Sequence, residues 1–148
     1  MLPPLNNAGD LPVGIHPADW NEIELRFGRS SPRRVQGYAK LRHLHELAQR
    51  TGALVRFLVF GSFVSAAAEP RDVDVVLVMA ADFRLEDAPR ESRTLFSHPD
   101  AEARFGASVF WVREGMLPQD LMRGFLETWQ TKRDDRNAEY WRSDHDRK

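Results

Sequence analysis

The chain has no cysteine among its 148 residues. That excludes disulfide bridges and thiolate-bound zinc, and with them the small cross-linked scaffolds of oxidising compartments. No apolar run approaches the length of about 20 residues that a bilayer-spanning helix needs. Neither sign of charge is in excess: 21 Lys and Arg stand against 22 Asp and Glu, a formal net charge of −1. A general DNA or RNA binder needs a basic face to attract phosphate, so the balance argues against that class. The opening stretch, "MLPPLNNAGDLPVG", lacks the basic start and apolar core of a secretory signal. These absences lead to the expectation of a cytoplasmic, bacterial-type protein with no membrane segment.

What is present fits one ordinary domain. The chain is 42% hydrophobic and 29% charged, and it is long enough to bury a core. Residues 1–14 carry Pro3, Pro4 and Pro12 without periodicity and read as an extended arm before a domain at 15–148. "HPADWNEIELRFG" reads as a short helix with Pro17 in its first turn, Gly28 as its stop, and Trp20, Ile23 and Phe27 on one face. "SSPRRVQGYAKLRHLHELAQRTG" is the clearest helix. Ser31 caps it, Pro32 suits its first turn and Gly52 follows its end. Val35, Tyr38, Leu41, Leu44 or His45, and Ala48 form its expected buried stripe.

Strands are expected at "ALVRFLVF", at Val73 to Met79 and at "ASVFWV". The bend Gly61-Ser62, a short helical "FVSAAA" and a turn at Glu69-Pro70-Arg71 separate the first two. Residues 82–94 read as a polar loop, and "SHPDAEARFG" as a short helix capped by Ser97. Pro118 opens a last helix with Leu121, Phe125 and Trp129 on one face. The tail, residues 131–148, mixes six basic with five acidic residues and has room for a short edge strand at Ala138 to Arg142. This order implies an α/β (α+β) single domain: a small mixed β-sheet with helices packed on it.

One feature is out of place in that scheme. Asp72 and Asp74 stand at the start of a strand otherwise apolar enough to be buried on both faces. Alternation puts them on one side, about 7 Å apart at Cα. Two carboxylates so close repel, and burial makes it worse. A divalent cation between them reverses the sign, and magnesium characteristically takes one or two carboxylates plus substrate phosphates. Gly61-Ser62 supplies a complement: glycine lets phosphate approach the backbone, and serine donates N–H and O–H. The short helix after it would direct its positive end to the same place. Taken alone, the acids are a solvated strand end beside Arg71, and Gly61-Ser62 is an ordinary turn. Their combination points to a metal-bound polyphosphate.

Phe60-Gly61-Ser62, nine residues, then Asp72-Val73-Asp74-Val75 resembles the signature of the polymerase-β-type nucleotidyltransferase superfamily. The looser pattern is similar to its minimal bacterial members. The resemblance implies a nucleotidyltransferase-like core that transfers a nucleoside monophosphate from an NTP to a protein or RNA acceptor, tRNA included. Gly61 and Ser62 would hold the triphosphate, and Asp72 and Asp74 the Mg2+ and the catalysis. A third carboxylate is expected on the next strand, where "ASVFWV" offers Ser108 instead. Asp82, Glu91 and Asp100 are the nearby substitutes. The departure leaves a second reading: a catalytically degenerate nucleotide- or partner-binding module, such as one component of a toxin–antitoxin or phage-defence pair.

No zinc site is expected from the five histidines. His43 and His45 are two apart on a helix and do not share a face. Arg33, Arg34 and Arg42 could meet phosphate but read first as a solvated helix face.

Overall fold

The structure, a computed structural model, describes residues 2–12 and 14–115. The expected last helix, the polar tail with its edge strand, and Trp129 lie outside the described residues. Within them the chain forms a small α+β domain on a mixed three-stranded sheet.

Helix α1 spans Trp20–Phe27 and starts later than Pro17 would place it, because the Asp19 carboxylate accepts from the Glu22 N–H at 2.8 Å and fixes the cap. Helix α2 spans Pro32–Gln49, capped as expected by Ser31, whose hydroxyl accepts from the Arg34 N–H. Its buried face is Arg34, Gly37, Leu41, Leu44, Leu47 and Ala48. The stripe is therefore rotated from the one expected: Val35 is 51% exposed and Tyr38 only half-buried. The cause is Phe63, which lies against the helix where Gly37 has no side chain. A Cβ on Gly37 would stand 2.7 Å from Phe63 Cε1, and Phe63 is 1% exposed, with no room to retreat. Gly37→Ala should therefore destabilise despite its better helix propensity. Overpacking costs about 1–3 kcal/mol and the propensity gain returns about 0.5–1, so a loss of about 1 kcal/mol in urea unfolding is expected.

Strand β1 (Leu54–Phe60) pairs antiparallel with β2 (Val73–Met79), which pairs parallel with β3 (Ala107–Arg113). On central β2, Val73, Val75, Leu77 and Met79 are buried in the main core with α2. Asp74, Val76 and Val78 alternate onto the other face. Val76 and Val78 are buried too, but outside that core. The strand is thus apolar on both sides, as expected of a central strand. The expected loop at 82–94 contains two 3-10 stretches, Leu85–Asp87 and Arg90–Phe96. The second seals the far end of α2: Leu95 is fully buried, and the Ser92 hydroxyl donates to the Leu47 carbonyl at 2.7 Å. Helix α3 (His98–Phe105) then leads through Gly106, at φ +64°, into β3.

His45 sits edge-on to Trp20 and Phe57, at 5.1 and 5.0 Å between ring centroids. Burial lowers its pKa, and Arg42 lowers it further. A base whose folded pKa is depressed contributes stability that is present above its unfolded pKa and lost as pH falls below it. Thermal stability should therefore drop on acidification from about pH 7.5 to 5.5, and His45→Gln should flatten that part of the profile. Among the described residues, no helix is long and apolar enough to cross a membrane.

Candidate functional site

The antiparallel pairing of β1 and β2 decides the site's location. Phe60, the last residue of β1, lies opposite Asp74, and Asp74 lies opposite Ser108 of β3. One row across the sheet therefore reads Phe60, Asp74, Ser108. The bend follows directly, with Gly61 at φ +86°, ψ −164°, a conformation open essentially to glycine alone. A Cβ on Gly61 would overlap Asp74 Oδ2 and stand 3.0 Å from its Cγ. The backbone of the bend and the carboxylate are thus in direct contact.

Two hydroxyls face the same end of the sheet. Ser62 is half-buried and Ser108 is 9% exposed, and neither hydroxyl has a hydrogen-bond partner among the described residues. A buried hydroxyl without a partner costs free energy unless a ligand or water satisfies it. The Phe60 ring of this row lies 6.3 Å from the ring of Phe110 on β3.

Asp72 is placed differently. β2 begins at Val73, so strand alternation does not extend to Asp72. It is exposed and borders a polar cleft of about 480 Å3 with Arg33, Gln36, Lys40 and Arg71. Asp74 does not border that cleft. The structure therefore joins Gly61 to Asp74 and sets Asp72 at the neighbouring cleft's edge, among three cations.

The short helix expected after the bend does not form. One 3-10 turn, Ser62–Val64, is all that follows Gly61, so no helix dipole acts here. The reason is Arg34. Buried at 4% exposure, its guanidinium donates to the carbonyls of Phe27, Phe63, Ser65 and Ala67. Carbonyls that a helix would have used internally are taken. The Ala67 N–H bonds instead to the Ser65 hydroxyl, which donates to the Ser62 carbonyl at 2.7 Å. Burial lowers the Arg34 pKa, partly offset by Glu69. Arg34 is therefore no solvated-face residue; it clamps the bend to α2. Its signal in the sequence was its place in the row Arg34, Gly37, Leu41, Leu44.

The other two arginines divide. Arg42 covers the Trp20 ring at 4.7 Å, whereas Arg33 borders the cleft and pairs with Glu69 at 3.5 Å. The exposed pair contributes little. Substitutes for a third acid are poorly placed. Asp82 follows the far end of β2, and Glu91 pairs with Arg50 at the tail of α2. Both are a strand length, about 20 Å, from Asp74. Asp100 is exposed in the first turn of α3. Among the described residues, no three His, Asp or Glu side chains converge to hold a metal.

A family model matches residues 3–142. The chain belongs to DUF6932, a family of unknown function. The match takes in the arm, the bend, both acids and Ser108, so the whole constellation lies within the DUF6932 region. No curated protein and no solved structure matches the chain.

Proposed function

We propose that this DUF6932 domain has a nucleotidyltransferase-like core that binds a magnesium–nucleoside triphosphate at the end of β1 and β2. One observation carries the reading: the Gly61 bend lies directly against the Asp74 carboxylate, in a row completed by a buried serine hydroxyl that has no partner among the described residues. The donor set is all oxygen, from Asp74, Asp72, Ser62 and Ser108, which suits magnesium better than a softer metal.

The roles follow from position. The Gly61 bend seats the Asp74 carboxylate against the backbone and sets Ser62 beside it, where the hydroxyl would donate to a phosphate oxygen. Asp74, with Asp72 from the cleft edge, would hold the ion. Bound magnesium neutralises charge on the phosphates and aligns them. In the transfer, an acceptor hydroxyl on RNA or protein bonds to the α-phosphorus. The bond to the α,β-bridging oxygen breaks, pyrophosphate leaves, and the hydroxyl proton passes to solvent.

Calorimetric titration with ATP, GTP, CTP and UTP tests the reading. At least one should bind in the presence of Mg2+ and weaken at least about tenfold, or 1.4 kcal/mol, in Asp74→Asn. Binding of none of the four by the wild type would remove the proposal.

A second reading draws on Ser108 itself. A neutral side chain beside Asp74, with no other acid in the row, favours a domain that holds the nucleotide without transferring it and acts through a protein partner. Incubation with α-phosphate-labelled nucleotide and a mixed RNA and protein pool separates the two. Mg2+-dependent label transfer supports the enzyme; tight binding without transfer supports the module.

A further inference from the structure

A second cavity, of about 300 Å3, lies between the arm and the outer edge of β1. Its walls are Leu11 of the arm and Ile15 just after it, Ile23 and Phe27 of α1, and Phe57 and Val59 of β1. Gly61 lines it too. The same glycine thus touches this cavity on one side and the Asp74 carboxylate on the other.

Three features narrow what the cavity takes. Its size is at the lower end of the range for pockets that enclose a small ligand, about 300–1,000 Å3. Its lining is mainly apolar, and the half-buried Phe57 is part of it. Finally, it is bounded by a strand edge that is unpaired among the described residues: there β1 pairs with β2 alone, and no main-chain hydrogen bond joins residues 11–18 to β1. Backbone N–H and C=O groups on that edge therefore open toward the cavity, and such groups require partners. The arm is held over the gap at its start. The Ala66 N–H donates to the Gly9 carbonyl at 2.8 Å, and the His16 ring bonds the Pro12 carbonyl at 2.7 Å. The arm spans the strand edge without closing the sheet.

We propose that this cavity receives the base of the bound nucleotide, with the phosphates running over Gly61-Ser62 toward Asp74. A nucleobase is planar, apolar on its faces and rich in donors and acceptors along its edge. That is the chemistry that an apolar wall and the main-chain donors and acceptors of a strand edge recognise. The inference rests on the proposed triphosphate site and adds to it the group that sets nucleotide preference. It also gives the arm a role: the outer wall of the base pocket.

The test separates the pocket from the phosphate site. Adenosine, guanosine, cytidine and uridine, without phosphate or Mg2+, are titrated against the full chain by saturation-transfer NMR. The same titrations are run on Ile15→Trp, which fills the cavity from a half-buried position just after the arm, and on Asp74→Asn; thermal melting checks that both variants fold. Leu11→Phe is the substitute if Ile15→Trp does not. At least one nucleoside should bind the wild type and Asp74→Asn alike, and the filled variant should lose it and weaken Mg-NTP binding tenfold or more. Mg-NTP binding that a folded, filled variant retains in full would overturn the pocket and leave the phosphate site standing. Nucleoside binding without any Mg-NTP binding would uphold the pocket and sink the phosphate site. Absence of both removes the inference together with the reading beneath it.

Discussion

Arg34→Met should unfold the domain's functional end before anything else fails. The variant keeps much of the side chain's bulk and loses all four carbonyl contacts, to Phe27, Phe63, Ser65 and Ala67. A buried carbonyl without a donor costs about 1–3 kcal/mol. Even if water reaches the outermost, at Ala67, the sum is at least about 3 kcal/mol, a large part of a typical domain's 5–15. Arg34→Lys should recover only a fraction, since an ammonium cannot reproduce a planar fork that serves several acceptors. Chemical denaturation gives the stability loss. Amide hydrogen exchange locates it: protection should fall first at residues 61–67, while β2 and β3 stay protected. Uniform loss of protection would mean that Arg34 supports the fold as a whole and not the bend.

Gly61→Ala should have the second large effect, for two separable reasons. The conformation at φ +86° is strained for any residue with a Cβ, by about 1–3 kcal/mol. The added methyl also overlaps the Asp74 carboxylate and must displace it. Strain alone would lower the melting temperature and leave ligand affinity in the folded fraction intact. Displacement of Asp74 would in addition abolish Mg2+-dependent nucleotide binding. Gly61→Ala in the Asp74→Ala background distinguishes the two, because with the carboxylate gone the overlap disappears. Stability should then recover in part, by about 1 kcal/mol, as expected for residues in contact. Equal losses in both backgrounds would show that the contact carries no energy.

Much of the framework was legible because it rests on local physics. The Ser31 cap with Pro32 behind it marked α2, and the β-branched run from Val73 marked a central strand. Both signals lie within a few residues of the structure they specify. The bend and Asp74 were also legible as a pair, since a strand, a turn and a returning strand bring their ends together whenever the strands are neighbours. What local reading missed depends on contacts distant in sequence. The α2 stripe rotated because Phe63 docks at Gly37. The helix after Gly61 was lost to Arg34, which reaches carbonyls about thirty residues away. The place of Asp72 was less legible, because the strand that enforces the period-two rule starts one residue later. The arm looked featureless because its partners, Glu22 and Arg26 of α1 and Ala66 after the bend, are distant in sequence and invisible to any count of periodicity.

Manganese relaxation provides the most direct measurement on the central claim. Mn2+ substitutes for magnesium at oxygen sites and broadens NMR signals near it. With the nucleotide that binds best, sub-stoichiometric Mn2+ should broaden the amides of Gly61, Ser62, Asp74 and Ser108 first, and Asp74→Asn should abolish that pattern. Broadening that spares this row, or that persists unchanged in Asp74→Asn, would contradict the account.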